Sequence, residues 1–201
     1  MQAEQPAHPV SLGDMRAAAA RLAGVVTRTP LLESAEVNAM LGGRLLLKAE
    51  SLQRTGAFKV RGAYHRLLCL SPEERARGAV TYSSGNHALG LARAAAILGS
   101  SAVIVMPADA PAAKRDAVRA MGAEVVAFNR DTQDSADIVA EIRRTTGRIE
   151  VPPSAHPEVL AGAGTWAAEM LDQAGAPPDA VLIPCGGGGL TAATAIAMAE
   201  A

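Results

Sequence analysis

The alternation of short apolar runs with longer helical segments constrains the fold of this chain more than any other feature. Apolar runs at residues 79–83, 101–106 and 123–128 are rich in valine, bounded by turn residues and typical of buried strands. Segments with the apolar spacing of helices separate these runs. Because parallel strands need long crossover connections, the pattern predicts parallel βαβ units and an α/β fold.

Further segments extend this pattern on both sides. Residues 43–50 are predicted to form a strand, and residues 179–184 to form a buried strand that is followed by four glycines and a helix. Residues 151–157 contain three prolines and are expected to form a connector. The last helix reaches Ala201 with no strand after it, so a parallel sheet there would lack its later strands. We therefore expect a truncated chain, or one that depends on a partner.

Composition and charge exclude several classes of partner. Hydrophobic residues make up 49% and charged residues 19% of the chain, as in globular proteins, and the net charge is only −1. The chain therefore has no basic field that would attract nucleic acid. The longest apolar stretch is interrupted by Arg93 and is too short to span a bilayer, and residues 1–10 do not form a secretory signal. We expect a cytoplasmic protein that binds neither nucleic acid nor a membrane.

Potential metal ligands lack the spacing of a metal site. The two cysteines, Cys69 and Cys185, form no CxxC motif, so we expect reduced thiols and neither a disulfide framework nor a zinc site. The histidines show no HxxxH or HExxH spacing. They are His8, His65, His87 and His156. The sequence therefore predicts no metal centre.

The segment SLQRTGAFKVRGA, at residues 51–63, contains a lysine in an apolar setting. Phe58 and Val60 flank Lys59, and partial desolvation by such neighbours lowers the pKa of an amine. A lysine of this kind can act as a nucleophile or as a base, since its neutral form is available. The alternative is an ordinary surface lysine on an amphipathic helix.

The segment TYSSGNHALG, at residues 81–90, places small polar groups where a strand is predicted to end. Ser83 and Ser84 can cap a helix that starts near Asn86, and Gly85 lets the backbone pass close to a ligand. Free N–H groups at a helix start attract anions, so this segment is expected to bind a carboxylate or a phosphate. The alternative is a plain helix cap.

Four consecutive glycines, residues 186–189, follow the strand predicted at 179–184. Between a strand and a helix, such a loop can wrap its N–H groups around a phosphate, which would also suit a nucleotide-binding module. A merely flexible loop is the alternative. A rival GxGxxA match at residues 162–167 lies inside a helical pattern, and we interpret it as incidental.

Together, the three segments describe a pocket for a phosphate, a carboxylate and a reactive lysine. Pyridoxal 5′-phosphate with a small amino acid substrate meets these needs. The segments SLQRTGAFKVRGA, SSGNHALG and IPCGGGGL, in this order, resemble the threonine/serine dehydratase and serine racemase group of fold-type II pyridoxal-phosphate enzymes, and the resemblance runs from about residue 27 to the end. Related β-replacement and threonine synthase enzymes typically have an acidic residue after the lysine and threonine after Ser-Gly-Asn. Here Val60-Arg61 and His87 stand in those places, which favours the dehydratase and racemase branch.

This resemblance implies roles for individual residues. Lys59 would form a Schiff base with the cofactor and then act as the base at the substrate Cα, with Phe58 beside the cofactor ring and Asn86 bonded to its phenolic oxygen. The phosphate would be bound by Gly186, Gly187, Gly188 and Gly189. The substrate carboxylate would be bound by Ser83, Ser84, Gly85, Asn86 and His87. Ser84 also occupies the place of the opposite-face acid/base of the racemases in this group.

The resemblance further implies a tryptophan synthase β-like fold of two lobes with parallel sheets. Residues 52–148 would form the smaller lobe, and residues 1–51 with 149–201 a larger lobe that lacks its C-terminal part. The implied reaction is elimination of water from L-threonine or L-serine to give a 2-oxo acid and ammonia. Amino acid racemisation and a non-catalytic fragment remain the alternatives, and the completed fold is expected to form a homo-oligomer.

The connector is where this chain departs most from that group. Residues 151–157 read VPPSAHP, whereas the group commonly has a His-Pro-Phe-Asp-Asp-like connector. Ala163 also stands where glutamine is usual. We therefore expect the local contacts to the cofactor-bearing lobe to differ from those of the group.

Overall fold

The structure, a computed structural model, describes residues 10–201. Residues 1–9 lie outside the described residues. They include His8 and most of the segment 1–10, which is interpreted from the sequence as no secretory signal. The helices are α1 (Leu12–Leu22), α2 (Ala35–Leu41), α3 (Lys59–Cys69), α4 (Pro72–Arg77), α5 (Asn86–Ile97), α6 (Ala112–Ala120), α7 (Ser135–Thr146), α8 (Pro157–Ala174) and α9 (Gly189–Ala199), with a 3-10 turn at Glu50–Leu52. The strands are β1 (Leu31–Glu33), β2 (Leu46–Lys48), β3 (Ala79–Tyr82), β4 (Ala102–Pro107), β5 (Glu124–Phe128) and β6 (Ile149–Glu150).

A parallel sheet with the strand order β5-β4-β3-β6 forms the centre of the molecule. β3, β4 and β5 occupy the three apolar runs that the sequence predicts as strands, so the α/β fold with a parallel sheet is confirmed. β6 was not predicted, because two residues are too few to show a periodic pattern. It pairs with β3, although the sequence-based division places residues 149–150 in the other lobe.

Helices cover both faces of this sheet. Ile104 and Met106 of β4 point into a core shared with α3, α5 and α6, whereas Val103 and Val105 of the same strand pack with Val139 of α7 on the other face. This follows from the alternation of side chains along a strand. No helix of the described residues is long and apolar enough to cross a membrane.

The chain winds in two directions from the middle of the sheet. β3 leads through α5 to β4, whereas its other neighbour, β6, leads through residues 151–156 into α8. Because these connections diverge, the carboxyl ends of β3 and β6 form a topological switch point. Open α/β sheets bind their ligands at such a switch point.

The prediction of a strand at residues 179–184 is wrong. These residues form no strand, and the Leu182 side chain is 89% exposed. A strand needs a neighbour for its backbone N–H and C=O groups, and the described residues place none beside this segment. β1 and β2 pair with each other in antiparallel fashion, so a second parallel sheet is not formed within residues 10–201.

A second core lies between α1, α8 and α9. Met15, Trp166 and Ala197 are among its buried members. The GxGxxA match at residues 162–167 lies inside α8, as expected of an incidental match. Its glycines serve packing, because a Cβ at Gly162 would lie 2.6 Å from the His65 Cβ and 2.7 Å from the Arg61 carbonyl oxygen of α3. α3 and α8 can therefore cross closely only where this side chain is missing.

Replacing Gly162 by alanine is expected to lower the free energy of unfolding by about 1–3 kcal/mol, because the new methyl group forces α3 away from α8. Urea unfolding measures this change. Gly13→Ala in α1 is the matched control, because the nearest atom to the new Cβ is the Ser11 hydroxyl oxygen at 3.4 Å, an ordinary contact distance. This control should be neutral or stabilising, because alanine has the higher helix propensity. Equal stability of Gly162→Ala and wild type would refute the close crossing.

Candidate active site

Lys59 is the first residue of α3. Its Nζ donates a hydrogen bond to the Pro153 carbonyl oxygen at 2.6 Å and lies 5.0 Å from the centre of the Phe58 ring. Burial lowers the pKa of the Lys59 amine, in agreement with the desolvation expected from its apolar neighbours. The lysine is therefore not an ordinary surface residue.

A close approach of α5 to the start of α3 fixes the position of Lys59. A Cβ at Gly90 would lie 2.9 Å from the Lys59 carbonyl carbon and from the Val60 nitrogen. Only glycine permits this contact, because any larger residue would overlap the backbone of α3. The same contact brings the loop that precedes α5 towards the lysine.

The loop at residues 83–87 leads from β3 into α5, which begins at Asn86 as predicted. The Ser83 hydroxyl accepts hydrogen bonds from the backbone N–H groups of Gly85 and Ala88, both at 3.2 Å. Ser84 makes no such bond within residues 10–201, so its predicted capping role is wrong and Ser83 alone holds the turn.

Several N–H groups of this loop are available to a ligand. Among the described residues, no acceptor binds the backbone N–H groups of Ser84, Asn86 and His87. They lie at the start of a twelve-residue helix, whose dipole favours an anion at this end. The loop can therefore receive a carboxylate.

His87 is buried behind the loop, with 3% of its surface exposed. Its Nε2 donates to the Val151 carbonyl oxygen at 2.9 Å, which fixes the neutral tautomer with the proton on Nε2. Burial and, to a smaller extent, the nearby charge of Lys59 lower the pKa of His87 from 6.5 to about 4, against the raising effect of the Val151 bond. His87 is therefore uncharged at neutral pH.

This burial predicts a stability change in acid. Between pH 6.5 and 4 the unfolded chain binds a proton at His87 that the folded chain does not. The free energy of unfolding should therefore fall as the pH falls through this window, by about 3 kcal/mol in total, and His87 should add no dependence above it. Urea unfolding at several pH values, compared with His87→Asn, isolates this contribution. Identical pH slopes for the two proteins would contradict it.

The glycine loop at residues 186–189 leads into α9. Gly188 has a φ of 77°, which glycine adopts without strain, and Gly189 is the first residue of the helix. In the described part of the chain, no backbone acceptor binds the N–H groups of these four glycines. The Thr191 hydroxyl, in the first turn of α9, is buried and has no hydrogen-bond partner among residues 10–201. The loop therefore presents donors without acceptors.

The connector after β6 brings these three parts together. Its Val151 and Pro153 carbonyl oxygens bind His87 and Lys59, and its Ser154 hydroxyl would lie 3.0 Å from a Cβ at Gly187. Ala155 has a φ of 39°, which is strained for a residue with a side chain and common at functional sites. The sequence identified this segment only as a connector, because its contribution comes mainly from backbone oxygens.

A buried ion network lies behind Lys59. The Arg61 side chain is fully buried and binds Glu50 at 2.8 Å and Glu169 at 2.7 Å. Lys48 binds Glu169 at 2.8 Å. The network ties the first turn of α3 to α8 and to the segment after β2. Its members were not predicted as site residues, since the sequence does not show that they meet.

Comparisons with known proteins agree with this geometry. The family model described as pyridoxal-phosphate dependent enzyme matches residues 22–201. The chain is 46% identical to L-threo-3-hydroxyaspartate ammonia-lyase from Pseudomonas sp, over 93% of this chain and 58% of that protein.

Solved structures give the same picture. Maize serine racemase superposes with a TM-score of 0.90 at 34% identity, over 95% of this chain and 58% of that one. Threonine deaminase from T.th. superposes with a TM-score of 0.84 at 46% identity, over 93% of this chain and 60% of that one. The chain thus spans less than two thirds of the length of these relatives.

Proposed function

Because the chain belongs to the family of pyridoxal-phosphate-dependent enzymes, we propose that it carries this cofactor on Lys59 and serves the elimination of water from L-threonine or L-serine. One observation carries the proposal: the Lys59 amine is bonded to the Pro153 carbonyl oxygen, and the glycine loop lies beside Ser154, the next residue of the connector. A single ligand with an aldehyde and a phosphate can therefore reach both.

The described residues fit such a ligand. The phosphate would be held by the N–H groups of residues 186–189, where Cβ positions at Gly186 and Gly188 meet nothing within 4 Å. The unpartnered Thr191 hydroxyl is a further donor in the same helix turn. Phe58 would lie beside the ring, and the Asn86 side chain would bind its phenolic oxygen.

Each part of the chain has a task in the proposed reaction. Pyridoxal phosphate supplies electron withdrawal that makes the Cα proton of a bound amino acid acidic. Burial lowers the pKa of Lys59, which favours the neutral amine that would take that proton at Nζ. The free N–H groups of Ser84, Asn86 and His87, within the Ser83–His87 segment, would hold the carboxylate and so select the bond that breaks. Neutral His87 supports the loop through the Val151 oxygen without adding charge.

Amino acid racemisation is the second candidate. The Ser84 hydroxyl has no hydrogen-bond partner within residues 10–201, so it is free to exchange a proton with a substrate. The similarity to maize serine racemase supports this candidate. Because the chain is similar to the hydroxyaspartate lyase, a hydroxy amino acid with two carboxylates should also be tested as a substrate.

The division into lobes remains part of the proposal. Residues 52–148 would carry the carboxylate loop, and residues 1–51 with 149–201 would carry the phosphate loop. A homo-oligomer would form once the larger lobe is complete. The third candidate, a non-catalytic fragment, would retain this fold without turnover.

Product analysis separates these candidates. The chain, supplied with pyridoxal phosphate, is incubated with L-threonine, L-serine or L-threo-3-hydroxyaspartate, and 2-oxo acid, ammonia and D-enantiomer are measured. Elimination gives oxo acid and ammonia in equal amounts. Racemisation gives the D-enantiomer, which Ser84→Ala should abolish while elimination persists. Bound cofactor without any product would identify the non-catalytic fragment and contradict the proposed lyase.

A further inference from the structure

Lys114 lies beside the loop at residues 83–87. It belongs to the first turn of α6, and its Nζ would lie 3.7 Å from a Cβ at Gly85. Gly85 precedes α5, so the amine stands next to the N–H groups at the start of that helix. This places a positive charge beside the loop at residues 83–87, which is predicted to bind the carboxylate.

The Lys114 amine differs from the other two lysines of the chain. Lys48 is bonded to Glu169, and Lys59 is bonded to the Pro153 carbonyl oxygen. In the part of the chain that the structure describes, the Lys114 amine has no ion-pair partner. Its charge is therefore available to an anion from outside the protein.

The position of Lys114 in the first turn of α6 is also unfavourable for the stability of that helix. A cation in the first turn of a helix is repelled by the positive end of the helix dipole, and α6 has no acidic residue in that turn to compensate. Residues that break such a rule without a local gain are often functional. An anion between the starts of α5 and α6 would relieve this repulsion.

No other charge of the loop performs this task. His87, at the start of α5, is neutral at neutral pH because burial lowers its pKa to about 4. The remaining polar groups of residues 83–86 are hydroxyls, an amide and backbone N–H groups. Lys59, whose charge also acts on His87, is assigned to the cofactor by the proposed function, so a carboxylate in the loop would find its positive partner in Lys114.

We infer that Lys114 supplies the positive charge that draws and holds the α-carboxylate of the amino acid at residues 83–87. This inference rests on the proposed function for the substrate itself. The carboxylate would accept hydrogen bonds from the backbone N–H groups of α5 and a further, charge-assisted one from Lys114 of α6. Charge-assisted hydrogen bonds are stronger than neutral ones. Because the amine is partly exposed, its contribution should weaken as salt increases.

Anion binding to the chain without cofactor tests the inference. Acetate and malonate are titrated at low ionic strength, and the backbone amide signals of Ser84, Asn86 and His87 are followed by NMR. Lys114→Gln is expected to weaken the binding of both anions about five-fold or more, whereas Lys114→Arg keeps most of it. Arg119→Gln removes a charge from the other end of α6 and should leave the binding unchanged.

Three results would overturn the inference. They are unchanged acetate affinity in Lys114→Gln, an equal loss in Arg119→Gln, and a loss confined to malonate, which would assign the amine to a second carboxylate. Cofactor absorbance, measured on the same Lys114→Gln protein, should equal that of wild type. A chain that binds no cofactor but loses acetate binding in Lys114→Gln would refute the proposed function and leave the anion site intact.

Discussion

Replacing Lys59 by alanine is expected to abolish the visible absorbance of the lysine-bound cofactor and to lower amino acid turnover by roughly 10³-fold or more. The amine has two tasks in the proposed reaction, since it holds the cofactor and takes the substrate proton. Its position at the start of α3 and its lowered pKa suit it to both. Absorbance titration with pyridoxal phosphate and an oxo-acid assay measure the two losses.

Lys59→Arg is the matched control for the chemistry. Arginine keeps a positive charge at the start of α3 but stays protonated, so it cannot carry the cofactor or accept a proton. We expect the same loss in both variants, with circular dichroism of the folded chain unchanged. Retention of absorbance and turnover in either variant would remove Lys59 from the site.

Replacing Arg61 by methionine is expected to lower the free energy of unfolding by about 3–5 kcal/mol. The guanidinium is fully buried between Glu50 and Glu169, and methionine would leave these carboxylates without their main partner. Lys48 still binds Glu169 in the variant, but within residues 10–201 the Glu50 carboxylate keeps only its bond with the Thr29 hydroxyl. Urea unfolding measures the loss.

Two further variants show whether the loss comes from the buried charges. Arg44→Met breaks the exposed pair with Glu33 and should leave the urea midpoint almost unchanged. Adding Glu50→Gln to Arg61→Met should restore part of the stability, because it removes the carboxylate that Arg61→Met leaves without an ionic partner. An equal effect of Arg61→Met and Arg44→Met would contradict the buried network.

Much of the central sheet could be predicted from the sequence, because buried parallel strands read as apolar runs. β3, β4 and β5 follow those runs, and α5 begins at Asn86, where small polar residues end the strand pattern. The segment 179–184 has the same apolar character without forming a strand. Whether such a run becomes a strand depends on a neighbour that its own residues do not reveal.

The sequence proposes one site from three segments with distinctive residue types, and this assignment stays a prediction. Lys59 and the loops at residues 83–87 and 186–189 lie near one connector, as their chemistry suggested. The connector itself could not be recognised, since Val151 and Pro153 act through carbonyl oxygens that every residue has. Lys114 was missed because the contact with Gly85 joins two different βα connections.

Identifying the lysine that carries the cofactor tests the central claim most directly. The chain has only three lysines, at positions 48, 59 and 114, so the result is unambiguous. The protein is mixed with pyridoxal phosphate, the link is fixed by borohydride reduction, and the labelled peptide is identified by mass spectrometry. The account expects the label on Lys59 alone. A label on Lys48 or Lys114 in its place, or no label at all, would contradict the account.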